Sequence, residues 1–578
     1  MVQTTEVLPE NLGEVLGQVL NVEASDQSFL AIDTETAWSD PHTDHLKLVQ
    51  FAGQGTPVYV AQPQSFQGQL VSLLPLFQSS HLKILQNGKF DFQFLQTARI
   101  RVVGPFFDTM LASRVLCCGQ ATKHDLGSLA LRHLGITLDK SLQQSFRNDE
   151  PLSAAQIDYG AADVAVLNPL RLNLEMQLTV ARLNHVAQLE FRLMPLLAQM
   201  EFVGVGVDQG KLGTFCQQLQ QTVESLDQRV RSHLPSDSLT SLFEDKPVAN
   251  INLNSPRALL KAFESLGIHA ESTQTDTLIP LAEKHQVVAA LLRYRQAEKA
   301  LRTFQKKLLG AIHPRTGSLH GSYTQCDRDS GSLSPSRTGV EELQALGYFP
   351  LDCLVARPGY RLIRIHYEGL AMRVLANLSR DANLMLCYQD GAEFHRQNRA
   401  VQSVEMFEDE YADTVAAVAR GVGIHNLSGV RLQRFAYHNH GVLLSKKKAA
   451  SMRADFLNRF PDVEQYHIEL REHGRKSISN LTGRRCQWQY PPSPSVLCQF
   501  LVYSVCSDIL KQAVCDLGQM LGDGGGQVLL KLDNQLIVEV NLAGNEVGEV
   551  CRVLRKSAQF VIGAVPIAVN WQIVGEQR

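Results

Sequence analysis

The strongest constraint on this chain is a pair of acids at the end of an apolar run. In SFLAIDTET, Asp33 and Glu35 lie two residues apart at the close of a β-rich stretch. A strand repeats every second residue, so both carboxylates share one face. A second strand-like run, LKILQN (82–87), leads to Asp91 in LQNGKFDF, where a helix opens. DYGAADV puts Tyr159 and Asp163 four apart, on one face of a helix. Strands SFLAID, LKLVQFA, PVYVA and LKILQN, followed by helical patterns at 124–135 and 152–170, describe an α/β unit with a largely covered sheet.

Four carboxylates gathered at one spot repel each other strongly. Cations neutralise such a cluster, and hard oxygen ligands favour Mg²⁺ or Mn²⁺. A pair of such ions is a standard means of hydrolysing a phosphodiester.

The rest of the chain bounds the remaining possibilities. Its 578 residues suggest roughly four domains' worth of chain at ~150 residues each. A net charge of −3 excludes a globally basic protein while allowing a local basic surface. The 11 cysteines form no CxxC pair or Cys/His cluster, so a zinc site is not expected, and many free thiols fit a reducing compartment. The opening MVQTTEVLPENL lacks the basic and apolar regions of a signal peptide. No apolar run approaches ~20 residues, so no membrane span is expected. From about 186 to 312 the pattern turns mainly helical. The segment 313–339 reads as turns and short strands, and beyond 350 strand-like YRLIRIHYE and QVLLKLDNQLIVEV bracket a helical middle.

In order, Asp-x-Glu, Asn-x-Lys-Phe-Asp and Tyr-x-x-x-Asp resemble the DEDD 3′–5′ exonucleases of the tyrosine subtype, a ribonuclease H-like family that includes RNase D and the proofreading domains of DNA polymerases. FDTMLASRVL, KHDLGSLALRHLGI and LDKSLQQSF extend the resemblance over about 180 residues. It implies Asp33, Glu35, Asp91 and Asp163 as ligands of two Mg²⁺ ions, with Mn²⁺ as the alternative. Tyr159 would position the attacking water. Asn87 is expected to cap a turn and Phe90 to pack in the core.

The remainder resembles family-A DNA polymerases of the DNA polymerase I type. LEFRLMPLLAQMEFVGVGVD, INLNSPRALLKAFESLGI, LLRYRQAEKALRTF, HPRTGSLHGSYTQ, RPGYRLIRIHYEGLAMR and LLKLDNQLIVEV carry this likeness. It implies a polymerase right hand after the exonuclease, divided as 1–185 exonuclease, 186–345 thumb and connection, and 346–578 palm and fingers. No N-terminal 5′-nuclease domain is expected. The departures fall on the chemistry. His366 stands at the first metal-binding Asp of the palm and Ala371 at the steric-gate Glu. Asp533, Asn534 and Gln535 replace His-Asp-Glu, so the second metal Asp is Asn534. In the fingers, Ala416, Ile424 and Ser428 replace Arg, Phe and Tyr, with Arg420 at the Lys. His366 and Asn534 are neutral at pH 7 and poor Mg²⁺ ligands, so loss of polymerisation is expected. A substitute would have to come from Glu368, two residues beyond His366 on the same strand, or from Asp533 in a shifted register.

Between Arg434 and Arg485 there are 11 Lys/Arg against 5 Asp/Glu. Lys446, Lys447, Arg475, Lys476, Arg484 and Arg485 are the expected phosphate contacts, with Arg293, Lys299 and Arg302 as weaker thumb candidates. Ser332 replaces an Arg the family uses against the primer strand. The expectation is a cytoplasmic, bacterial 3′–5′ exonuclease with DNA as favoured partner and RNA as a possible one. Its polymerase half would hold nucleic acid. An active proofreading polymerase, an RNase D-like RNA exonuclease and a non-catalytic DNA-binding protein are the alternatives.

Overall fold

The computed structural model describes residues 2–20, 28–147, 150–234, 251–335, 338–389, 408–542 and 546–575. The first unit is built on six strands: β1 (Thr4–Glu6), β2 (Phe29–Thr36), β3 (Leu46–Gly53), β4 (Val58–Ala61), β5 (Leu82–Leu85) and β6 (Phe106–Asp108). They lie in the order β1-β4-β3-β2-β5-β6, with β3 antiparallel to both neighbours and the other pairs parallel. Both faces are covered, which is why these strands read as continuous apolar runs. Leu30 and Ile32 point into one core, while Ala31 points into another with Ala161 and Val164. Asp33 and Glu35 continue the Ala31 face beyond the apolar part of β2. They therefore emerge beside the helix Ala154–Ala165, whose start is fixed by a capping box between Ser153 and Gln156.

A single helix, Asn184–Val203, joins this unit to the rest. Phe191, Met194 and Ala198 pack in the first core, and Leu193, Leu197 and Met200 pack in the second. The helices Gln209–Ser232 and Gln286–Thr303 then run together over a separate small core. The segment 313–335 forms only two-residue strands, as its turn-rich sequence predicts. The second large sheet is antiparallel, in the order Gly526–Leu532, Gln535–Asn541, Tyr360–Tyr367, Val569–Val574. The apparently single run QVLLKLDNQLIVEV is a hairpin: Leu532 pairs with Gln535, and Asp533 (φ 51°) with Asn534 makes the turn. The 32-residue helix Pro494–Gly525 packs against this sheet.

Four buried charges tie the parts together. Glu190 of the joining helix accepts from Arg484 Nη2 at 2.5 Å and from Lys511 Nζ. Arg484 also binds Asp508 Oδ1 at 2.7 Å. Lys511 donates to the Gly331 carbonyl, and Gln325 Nε2 donates to Glu190 Oε2 at 2.8 Å. All four charged side chains are at most 2% exposed. Arg484 is thus a structural cation and not the phosphate contact expected from LTGRR, because its guanidinium is consumed by two interior carboxylates.

Burial alone would raise the Glu190 pKa, but Lys511 and Arg484 outweigh it and hold it at about 2. A depressed carboxylate stabilises the fold above its unfolded pKa, and that contribution disappears as pH falls through the folded value. Glu190→Ala should destabilise by about 3–5 kcal/mol, because it leaves two buried cations short of a partner. Melting curves should show the wild type losing its advantage over the variant as pH drops from about 4.5 towards 2.

Candidate active site

Three elements deliver the acids anticipated above. Asp33 and Glu35 come from β2, Asp163 and Tyr159 from the helix Ala154–Ala165, and Asp91 from the first turn of the helix Gly88–Thr97. Carboxylate oxygens of Asp33, Glu35 and Asp163 all lie within 4.8 Å of one another. Among the described residues no second trio of His, Cys, Asp or Glu converges in this way. Asp91 lies outside the trio, with Oδ1 accepting from Thr34 Oγ1 at 2.6 Å. Its helix is pinned by Asp108, a buried acid the sequence reading did not single out, which accepts from the Gly88 and Leu111 amides at 2.7 and 2.8 Å. The FDT phrase carries the signal for Asp108, since Asp before an apolar helical run is an N-cap pattern.

The cluster is electrostatically strained in the absence of cations. Burial raises the Asp33 pKa well above the carboxylate range, and Asp91, Glu35 and Asp163 push it further. Burial and then Asp163 raise Glu35 to about 8. Asp91 rises to about 7 through burial, against the Thr34 hydrogen bond. Burial followed by Asp163, Glu35 and Asp33 also raises the Tyr159 phenol, so it keeps its proton. Lys140 acts in the opposite direction, donating to both Asp163 oxygens at 2.8 and 2.7 Å and approaching Tyr159 Oη at 3.4 Å. Lys140 lies in LDKSLQQSF but follows no strand or helix period, so spacing could not assign it.

The acids open onto a cavity of about 930 Å³. Trp38 is 55% exposed on its wall, with the Arg147 guanidinium 4.6 Å from the ring centroid. Phe90 packs against the first core as expected, half-buried and leaning on Phe94, and its remaining surface lines the same cavity. Asn87 makes no side-chain cap, and its left-handed backbone (φ 61°) turns the chain into the helix. Lys89 pairs with Glu201 at 2.6 Å and so ties this unit to the joining helix.

The second anticipated centre looks different. His366 pairs with Gln535 near the end of its strand. Its Nδ1 is buried without a hydrogen-bond partner, and burial followed by Arg364 lowers its pKa. Ala371 is buried in the following helix. Glu368 lies past the strand in a turn ending at Gly369 (φ 60°), and its Oε2 accepts from Asn570 Nδ2 at 3.1 Å. Asn570 is the residue paired directly with His366, so the Glu368 carboxylate lies on the His366 face although the strand ends at Tyr367. Asn534 and Asp533 line a smaller cavity of about 220 Å³ with Ser332, Arg328, Lys531 and Tyr503. Of the expected phosphate contacts, Lys446, Lys447, Arg475 and Lys476 are exposed and Arg485 is half-buried in a short strand. Lys476 stands 5.9 Å from the ring of the exposed Tyr490.

Residues 9–179 match a family described as 3′-5′ exonuclease, and residues 216–576 match one described as DNA polymerase family A. The chain is 26% identical to DNA polymerase I of Pseudomonas aeruginosa over 91% of its own length and 61% of the relative's. It is 26% identical to DNA polymerase I of Chloroflexus aurantiacus over 97% of its length and 62% of the relative's. It thus spans about three fifths of these relatives. A solved structure titled as the POL domain of Pol1 from M. smegmatis, in complex with DNA primer-template and dNTP, shares the fold with a TM-score of 0.75 at 20% identity, covering 99% of each chain. No helix among the described residues is long and apolar enough to cross a membrane. With the second match alone extending over well more than half of its residues, the chain belongs to DNA polymerase family A.

Proposed function

We propose that this protein is a 3′–5′ exonuclease acting on nucleic acid, with DNA favoured, and that its polymerase-like half holds the substrate without extending it. The carrying observation is the trio Asp33, Glu35 and Asp163, with Asp91 alongside, in the region matching the exonuclease family. The donors are all hard oxygens, and their mutual repulsion exceeds what one lysine offsets, so the set suits Mg²⁺ or Mn²⁺. These four carboxylates would hold two ions, which supply neutralisation of the phosphodiester and activation of the attacking water.

The chain's own residues set the rest. Tyr159, kept as a neutral phenol, orients water towards the terminal phosphorus through its hydroxyl. Water adds to phosphorus as the bond to the penultimate 3′-oxygen breaks, releasing a nucleoside 5′-monophosphate. Trp38, exposed on the cavity wall beside Arg147, offers a π-face to the terminal base. In the palm, His366 and Asn534 put neutral groups where nucleotidyl transfer needs carboxylates. The exposed Lys446, Lys447, Arg475 and Lys476 supply sequence-independent phosphate contacts.

The test is a 5′-labelled primer–template incubated with Mg²⁺, with and without dNTPs. The primer should shorten in both cases; lengthening with dNTPs would overturn the silent-palm reading, and no change in either would overturn the nuclease reading. Asp33→Ala should slow shortening by about a thousandfold, and Tyr159→Phe by about a hundredfold. Trp38→Ala should raise KM by about tenfold with kcat little changed, the size expected for one lost base–aromatic stack. Metal binding must also expel protons from the raised acids. Adding Mn²⁺ to weakly buffered protein near pH 7 should therefore lower the pH, and Mn²⁺ affinity should climb with pH from about 6 to about 8 as the raised carboxyls, Glu35 at about 8 among them, ionise.

A further inference from the structure

The loop that follows the helix Leu126–Leu134 carries Lys140 into the acid cluster. Its ammonium spans both oxygens of Asp163, at 2.8 and 2.7 Å. The same charge offsets the repulsion felt by Asp33 and Glu35. Both oxygens of Asp163 thus face one ammonium, whose positive charge stands at the carboxylate and opposes the approach of a cation. Lys140 is also the member of the cluster best able to leave. It stands on a stretch without helix or strand, its side chain is 33% exposed, and it lines the cavity, whereas Asp163 is 8% exposed on a capped helix. A flexible four-carbon stem lets the ammonium swing into that cavity without backbone movement.

We propose that Lys140 is a resident counterion: it holds Asp163 and Tyr159 in place in the metal-free protein, and a divalent cation must displace it to enter. The inference rests on the acid cluster being the metal site of the proposed nuclease. It makes Lys140 a positioning residue that sets the threshold for metal loading. A pre-formed acid site with no resident cation would fill at lower metal concentration but would be more open to protonation and local collapse when empty.

Two measurements test this without relying on turnover. The first is Mn²⁺ binding to the full chain in mildly alkaline buffer, followed by the loss of the free-ion EPR signal. Lys140→Met should bind Mn²⁺ about tenfold more tightly than wild type, since the competing charge is gone, while Lys140→Arg should stay within about twofold. Equal or weaker binding by Lys140→Met, with Asp163→Asn still weakening binding, overturns the counterion role alone. If Asp163→Asn leaves Mn²⁺ binding unchanged, the cluster is not the metal site and the nuclease reading falls with it. The second measurement uses wild-type protein, so folding of a variant does not enter. Acetylation of Lys140 by acetic anhydride, read by peptide mass spectrometry, should rise on adding Mn²⁺ as the ammonium is released from Asp163. Unchanged or reduced labelling overturns the displacement.

Discussion

The interior pairing of Glu190 and Asp508 with Arg484 and Lys511 is the constraint on which the arrangement of the two halves depends. Removing four charges from water costs several kcal/mol each, and only close geometry with every lone pair engaged offsets it. That requirement fixes four distant stretches at once: the joining helix, the segment near Gly331, the turn that carries Arg484, and the long helix Pro494–Gly525. The joining helix in turn presents one face to each core. Packing and charge along the joining helix thus connect the unit that carries the acid cluster to the polymerase-like half.

At the acid cluster the balance runs the other way. Asp33, Glu35, Asp91 and Asp163 face a single lysine, and burial above all raises their carboxyl pKa values, with neighbouring carboxylates adding to it at Asp33 and Glu35. Holding buried acids together is costly to the fold, and on the proposed reading the free energy of relieving that cost becomes available to cation binding.

The acid set was legible in the sequence because each member sits on a regular element, where spacing encodes direction. Two residues on a strand gave Asp33 and Glu35 one face, and four on a helix did the same for Tyr159 and Asp163. Where no period exists, the sequence was silent. Lys140 is placed by a loop, and nothing local distinguishes it from any exposed lysine. Arg484 was misread for a related reason: its partner Glu190 is 294 residues away, and a charge run cannot reveal an acid folded against it. Glu368 keeps the face that its two-residue spacing from His366 predicts, meeting Asn570 opposite His366, even though the strand itself ends at Tyr367. Phe90 packs on the core as its helical run predicts, while the cavity along its other side, formed by distant residues, is not written in the run. The fold followed more fully from the sequence, since alternation and apolar runs record burial across a whole element; the Asp533–Asn534 hairpin was hidden only because its two turn residues interrupt an otherwise continuous strand pattern.

On the proposed reading, the contrast between the two centres explains how a palm could keep its fold with His366 and Asn534 where carboxylates are expected. A clustered pair of ionised carboxylates is a burden on a fold whenever cations are absent, so exchanging Asp for His or Asn at such a site relieves repulsion instead of leaving a gap. The cost is small as long as the replacement fits the local geometry. Asn534 does, since it occupies a two-residue hairpin turn where Asn is favoured. His366 does so less well: its Nδ1 has no partner, and its imidazole is held neutral by burial. The sheet around it is secured by Ile363, Ile365, Ile537 and Val538, which are fully buried and indifferent to metal. The packing of this half is apolar and independent of any ion, whereas the acids Asp33, Glu35 and Asp163 are offset by Lys140 alone among the chain's own groups that their pKa shifts register.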